Sequence, residues 1–96
     1  ELGQRALRAP EVHREWAFNL RGPGETLIQG VIDLCFLENG QWVLVDYKTD
    51  RADGDTLRQR YSLQLSWYAK ALAQITGQPV AQMHLFALRT QEDIRV

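Results

Sequence analysis

Apolar residues recur along this chain in two rhythms. From Glu15 to Thr49 they alternate with polar residues or gather in short β-branched and aromatic runs, and from Asp55 to about Ile75 they return every three or four positions. The first rhythm predicts strands over Glu15–Leu20, Thr26–Phe36 and Gln41–Thr49, because strand side chains point to opposite faces in turn and branched residues fit a pleated surface. The second predicts a helix with Leu57, Tyr61, Leu65, Tyr68, Leu72 and Ile75 on one face. Arg21-Gly-Pro-Gly-Glu25 reads as a turn and Asp50–Asp55 as a polar loop; Asp55 or Thr56 suits the helix cap, and Gly77 followed by Pro79 suits its end. Val80–Leu88 reads as a last strand, and Glu1 to about His13 as a mixed segment that starts helical until Pro10 interrupts it. Trp42 and Leu44 lie on one face of the third strand and Val43, Val45 and Tyr47 on the other. With both faces apolar, that strand belongs in the middle of a sheet. The order is α/β or α+β, one sheet with helices packed on it.

Composition narrows the function. With 96 residues, 45% hydrophobic and 24% charged, the chain is one ordinary globular domain and neither disordered nor low-complexity. No apolar run approaches a membrane span. A net charge of −1 is too balanced to hold a duplex by general electrostatics, so any nucleic-acid contact must be local. Cys35 is the one cysteine; it reads as a buried thiol in a reducing compartment and cannot build a cysteine-rich metal or iron–sulfur site. A chain that opens on Glu1 and has Met83 as its single methionine reads as part of a larger protein, truncated at its N-terminus.

The candidate chemistry comes from a hairpin. Glu38-Asn39-Gly40-Gln41 between two strand patterns is the signal for a two-residue type I′ loop. If Asn39 and Gly40 form the loop, facing positions add up to 79, and Asp33 faces Asp46. Such residues share a face with Cβ atoms about 5 Å apart, where like charges repel. A divalent cation between them turns the conflict into a site, and two carboxylates suit Mg²⁺ or Mn²⁺. Lys48, two residues on, points the same way. Two acids and an ammonium are what metal-assisted phosphodiester hydrolysis needs. The same residues also fit a surface ion pair beside a solvated edge acid, but the apolar Val31, Trp42 and Leu44 assigned to that face argue against a solvated surface.

Other positions carry weaker signals. Glu15 reaches the level of Asp33 if the first strand pairs antiparallel with the second, and otherwise is an exposed strand-end acid. Tyr61, Gln64 and Tyr68 share a helix face; tyrosines at that spacing pack on a sheet, whereas Gln64 must satisfy its amide against backbone near the acids or a substrate phosphate. His84 reads as a half-exposed structural residue, and His13 as no ligand. Gly22 and Gly24 flank a proline as a turn, not as a phosphate loop.

Gly30-Val-Ile-Asp33, then Val45-Asp46-Tyr47-Lys48-Thr49, then Gln64-Leu-Ser-Trp-Tyr68, with Glu15 ahead of Trp16, together resemble the PD-(D/E)XK nuclease superfamily, and within it the RecB-like nuclease domain of AddA-type helicase–nucleases. The resemblance spans most of the chain. It implies a restriction-endonuclease-like core, a mixed sheet flanked by helices, over residues 1–96 as a single nuclease domain. It implies Mg²⁺-dependent cleavage of DNA of exonuclease type, with Mn²⁺ able to substitute. Asp33, Asp46 and a carbonyl near Tyr47 would be metal ligands, Lys48 the catalytic lysine, Glu15 a further catalytic acid, and Gln64 and Tyr68 would support the site or contact the DNA strand. It further implies a bacterial cytoplasmic setting, a single strand or DNA end as substrate, helicase domains in the same chain and a second nuclease subunit, in the repair of double-strand ends by recombination. RecB-like domains also carry a histidine ligand well upstream of the glutamate; His13 lies too close to Glu15 to take that role. A stand-alone or phage-type exonuclease and a silent scaffold of the same fold are the alternatives. Intact Asp33, Asp46 and Lys48 count against the scaffold.

Overall fold

The computed structural model describes residues 1–96. Its elements run α1 (Leu2–Arg8), β1 (Val12–Arg21), a 3₁₀ turn (Pro23–Glu25), β2 (Leu27–Glu38), β3 (Gln41–Lys48), α2 (Gly54–Thr76), β4 (Val80–Ala87) and β5 (Glu92–Arg95). One sheet takes the order β1-β2-β3-β4-β5, so β3 is the middle strand, as its two apolar faces require. β1 to β3 form an antiparallel meander, β3 and β4 are parallel, and β5 returns antiparallel. The parallel pair needs a crossover, which α2 provides. The result is an α+β fold with a mixed sheet, consistent with a restriction-endonuclease-like core.

The sheet separates two cores. On one face α2 lays Leu57, Leu65, Ala71 and Leu72 against Trp42, Leu44, Ile32, Cys35 and Leu85. On the other, α1 packs Leu2 and Ala6 onto Leu34, Phe36, Val43 and Val45. Trp42 Nε1 donates to Thr76 Oγ1 at 2.9 Å, which ties the last turn of α2 to the start of β3 and satisfies a buried indole N–H. No helix is long and apolar enough to cross a membrane.

Several boundaries differ from expectation. α2 is capped by Asp53, whose side chain accepts from the Thr56 amide at 2.8 Å, not by Asp55 or Thr56; Thr56 supplies the donor. Ile75 is half exposed, because Ala71 and Leu72 take the inward positions of that turn. β5 carries one buried residue, Ile94, too little pattern to mark a strand. The hairpin matches: Asn39 and Gly40 both have positive φ (55° and 76°), as a type I′ loop demands, and Gly77 ends α2 in the left-handed region at φ 73°.

Candidate active site

The β2–β3 register runs from Glu38↔Gln41 to Leu34↔Val45, the register that the hairpin count requires. Asp33 and Asp46 stand one step beyond the last paired positions, where the ladder stops. The reason lies in β2. Ile32 and Cys35 both face α2, while Leu34 between them faces α1, so the alternation of β2 breaks at Asp33. β1 breaks beside it: Arg14 pairs with Leu34 and Trp16 with Ile32, and Glu15 between them has φ 52°, a left-handed conformation that costs a non-glycine residue about 1 kcal/mol or more. Asp33 therefore does not stand on a regular face. Its Oδ2 accepts the backbone N–H of Tyr47 at 2.8 Å, replacing a ladder bond with a side-chain bond. Val31, assigned by plain alternation to the face of Trp42, is exposed for the same reason.

Asp46 stays on the α2 face of β3 and is 4% exposed. Its Oδ2 is buried with a single charged partner, Lys48 Nζ, 2.8 Å away as an ion pair poorly aligned for a hydrogen bond. Burial, and secondarily the neighbouring Asp33 carboxyl, push Asp46 up to about 6 against the pull of Lys48. The Lys48 ammonium is held from several sides. It donates to Gln64 Oε1 at 3.1 Å and lies 4.0 Å from the centroid of the Tyr61 ring. Tyr68 receives Gln64 Nε2 at 3.5 Å and meets Phe18 edge-on with centroids 5.2 Å apart. Burial, and then the Asp46 carboxylate, raise the Tyr68 phenol.

Asp33, Asp46, Lys48, Gln64 and Tyr68 are thus brought together where β2 and β3 part under α2. Glu15 is exposed and lines, with Arg14, Asp33 and Tyr47, a shallow pocket of about 350 Å³. No three His, Cys, Asp or Glu side chains converge closely enough to form a metal cluster by themselves. The donor set still fits a hard divalent cation: Mg²⁺ is commonly bound through one or two carboxylates and keeps several waters, and Asp46 Oδ2 is a buried carboxylate oxygen whose one charged partner is the poorly aligned Lys48 ammonium.

Some expectations need correction. Gln64 is exposed rather than surrounded by apolar side chains, and its partners are Lys48 and Tyr68, not backbone. His84 is buried rather than half-exposed, with Nδ1 2.6 Å from Asp93 Oδ1 and Nε2 2.9 Å from Gln82 Oε1; its role is structural. Cys35 is buried in the core, where desolvation pushes its thiol up to about 12. His13 stacks on Trp16 with ring centroids 4.2 Å apart. Pattern reading missed Asp50, which takes the Tyr61 hydroxyl at 2.7 Å; its place two residues after Lys48 was the available signal.

The model of the PD-(D/E)XK nuclease superfamily matches residues 1–96. An ATP-dependent helicase/nuclease subunit from Carboxydothermus hydrogenoformans is 40% identical over 110 residues, covering 99% of this chain and 9% of that protein. Its counterpart in Acetivibrio thermocellus is 40% identical over 103 residues, covering 88% of this chain and 8% of the relative. The one in Clostridium acetobutylicum is 30% identical over 112 residues, covering 99% and 9%. The chain therefore spans less than a tenth of the length of these relatives. A match along every residue, with paired acids and a lysine at the parting of β2 and β3, has one reading: the chain belongs to the PD-(D/E)XK nuclease superfamily.

Proposed function

We propose that residues 1–96 form the nuclease domain of a longer helicase–nuclease, and that it cleaves DNA phosphodiesters with Mg²⁺, or Mn²⁺ in its place, during processing of double-strand ends for recombinational repair. The observation that carries this reading is the buried Asp46 carboxylate, with the Asp33 carboxyl beside it and Lys48 Nζ 2.8 Å from its Oδ2. Asp46, Asp33 and the Tyr47 carbonyl would hold the cation. A cation bound there would polarise the phosphate and lower the pKa of a water. The chain supplies the rest. Lys48 places a positive charge where the oxyanion of the cleaved phosphate develops. Gln64 and Tyr68 keep that ammonium on the site side of α2. Glu15, exposed beside Asp33, is placed to orient a water or the substrate strand. The near-neutral charge suits a domain whose substrate, a single strand or a DNA end, is delivered by attached helicase domains and shared with a second nuclease-bearing partner.

Calorimetric titration of the chain with Mn²⁺ tests the site. Binding by the parent and its loss in Asp46→Asn is the expected result. In the complete protein, Asp46→Ala and Lys48→Ala each lower cleavage of linear DNA by about a hundredfold or more, on the order of a lost oxyanion donor or worse, and circular dichroism stays unchanged. Undiminished cleavage by both variants would refute the assignment.

A further inference from the structure

Lys48 sits on a flexible four-carbon stem, yet it must hold its ammonium at one point beside Asp46. Besides the 2.8 Å ion pair with Asp46, it donates one hydrogen bond, to the exposed Gln64 side chain. A third restraint, on the remaining side, is the Tyr61 ring. Tyr61 lies one turn before Gln64 on α2 and packs at the edge of the larger core, and Lys48 Nζ lies 4.0 Å from its centroid, well inside the range of a cation–π contact. A ring that only filled space there would not need a hydroxyl. This one donates to Asp50 Oδ2 at 2.7 Å, and the same oxygen receives Arg60 Nη1 at 2.7 Å. Hydrogen bonds from Tyr61 and Arg60 hold the Asp50 carboxyl below the usual carboxylate range, and the Asp50 bond holds the Tyr61 phenol above its usual value. Asp50 thus stays an anionic acceptor and Tyr61 a neutral donor.

We propose that Asp50 and Tyr61 are positioning residues, a clamp from the loop after β3 through a tethered ring that fixes the Lys48 ammonium between Asp46 and Gln64. The clamp deepens the nuclease reading and rests on it for the role of Lys48, but its geometry is testable without cleavage. Asp50 is partly exposed and Arg60 exposed, so the tether can be cut without opening the core. The electrostatics favour a tyrosine over a phenylalanine: an anionic acceptor on the hydroxyl enriches the ring face that meets the ammonium.

Lys48 and Lys70 are the two lysines of the chain, which makes selective ¹³C-lysine labelling a direct test. Lys70, 5.1 Å from the Trp67 ring, serves as the internal reference. In the parent the Lys48 ε-methylene protons resonate upfield from the ring current of Tyr61. Asp50→Ala and Tyr61→Phe each lose at least half of that displacement, Asp50→Asn, which keeps a neutral acceptor, retains most of it, and Lys70 does not move. In the complete protein, Asp50→Ala lowers kcat by about tenfold to a hundredfold, the scale of a misplaced catalytic group, with KM little changed, and Asp50→Asn recovers most of the rate. An unaltered Lys48 resonance in both Asp50→Ala and Tyr61→Phe overturns the clamp, as does an unchanged kcat in Asp50→Ala. A parent that cleaves no DNA under any metal condition instead removes the nuclease reading, and the resonance then decides the clamp alone.

Discussion

Asp46 holds its charge against its surroundings. Burial raises its pKa from the usual 3.8 to about 6, so between those values the folded chain keeps a proton that the unfolded chain has released. Stability therefore falls as pH rises from about 4 to about 6, and stays lower above that. Full development of the shift corresponds to about 3 kcal/mol. Asp46→Asn removes the conflict and also removes the counter-charge of Lys48. In metal-free buffer at about pH 7.5 the variant is expected to be more stable than the parent by about 1–3 kcal/mol, with the gap closing below about pH 4. Urea unfolding at the two pH values measures it; a variant less stable at both would show that Lys48 alone dominates the electrostatics of Asp46. That the acids meet was legible from the hairpin, since Asn39-Gly40 sets the register. That Asp46 is the deeply buried one was not, because burial depends on α2 lying over β3.

At the scale of elements, the site exists because two neighbouring strands switch faces together. Glu15 in β1 and Asp33 in β2 occupy the switch, and the Asp33 carboxylate fills the gap left in the β2–β3 ladder. Plain alternation cannot anticipate this, since a switch in one strand is invisible unless its neighbour switches too. Gly30 follows from the same geometry. A Cβ there would lie 2.9 Å from Phe18 Cζ and 3.0 Å from Tyr68 Cε1, so the glycine of Gly30-Val-Ile-Asp33 makes room for the ring pair beneath the site. Gly30→Ala should destabilise the chain by about 1–3 kcal/mol through overpacking, lowering the melting temperature by at least about 4 °C. It should also weaken the Gln64–Tyr68 contact. A melting curve superimposable on that of the parent would mean that the rings yield freely.

Over the whole molecule, a polar network runs across the α1 face of the sheet, from that helix to the edge strand. Arg5 of α1 makes paired bonds to Glu38 of β2 at 2.7 and 3.0 Å and a third to Gln82 of β4 at 3.1 Å. Gln82 faces His84, which reaches Asp93 of β5. The short edge strand, with one buried apolar residue, is therefore held by a buried imidazole as well as by Ile94. Asp93→Ala leaves a ring nitrogen of His84 without its partner, and should cost about 1–2 kcal/mol. Amide exchange of Ile94 and Arg95 should accelerate more than that of β3. Equal acceleration throughout would mean that β5 opens only with the whole fold. The sequence by itself determined the β2–β3 hairpin, the long helix, the middle position of β3 and the meeting of Asp33 with Asp46, because each follows from short-range periodicity and turn chemistry. The tertiary structure alone decided that β1 and β2 pair and switch faces at the acids, that β5 and His84 lock the far edge, and that the Tyr61 ring, bonded to Asp50, lies against Lys48. Those features arise from contacts between segments far apart in the chain, and no local pattern encodes which of them will meet.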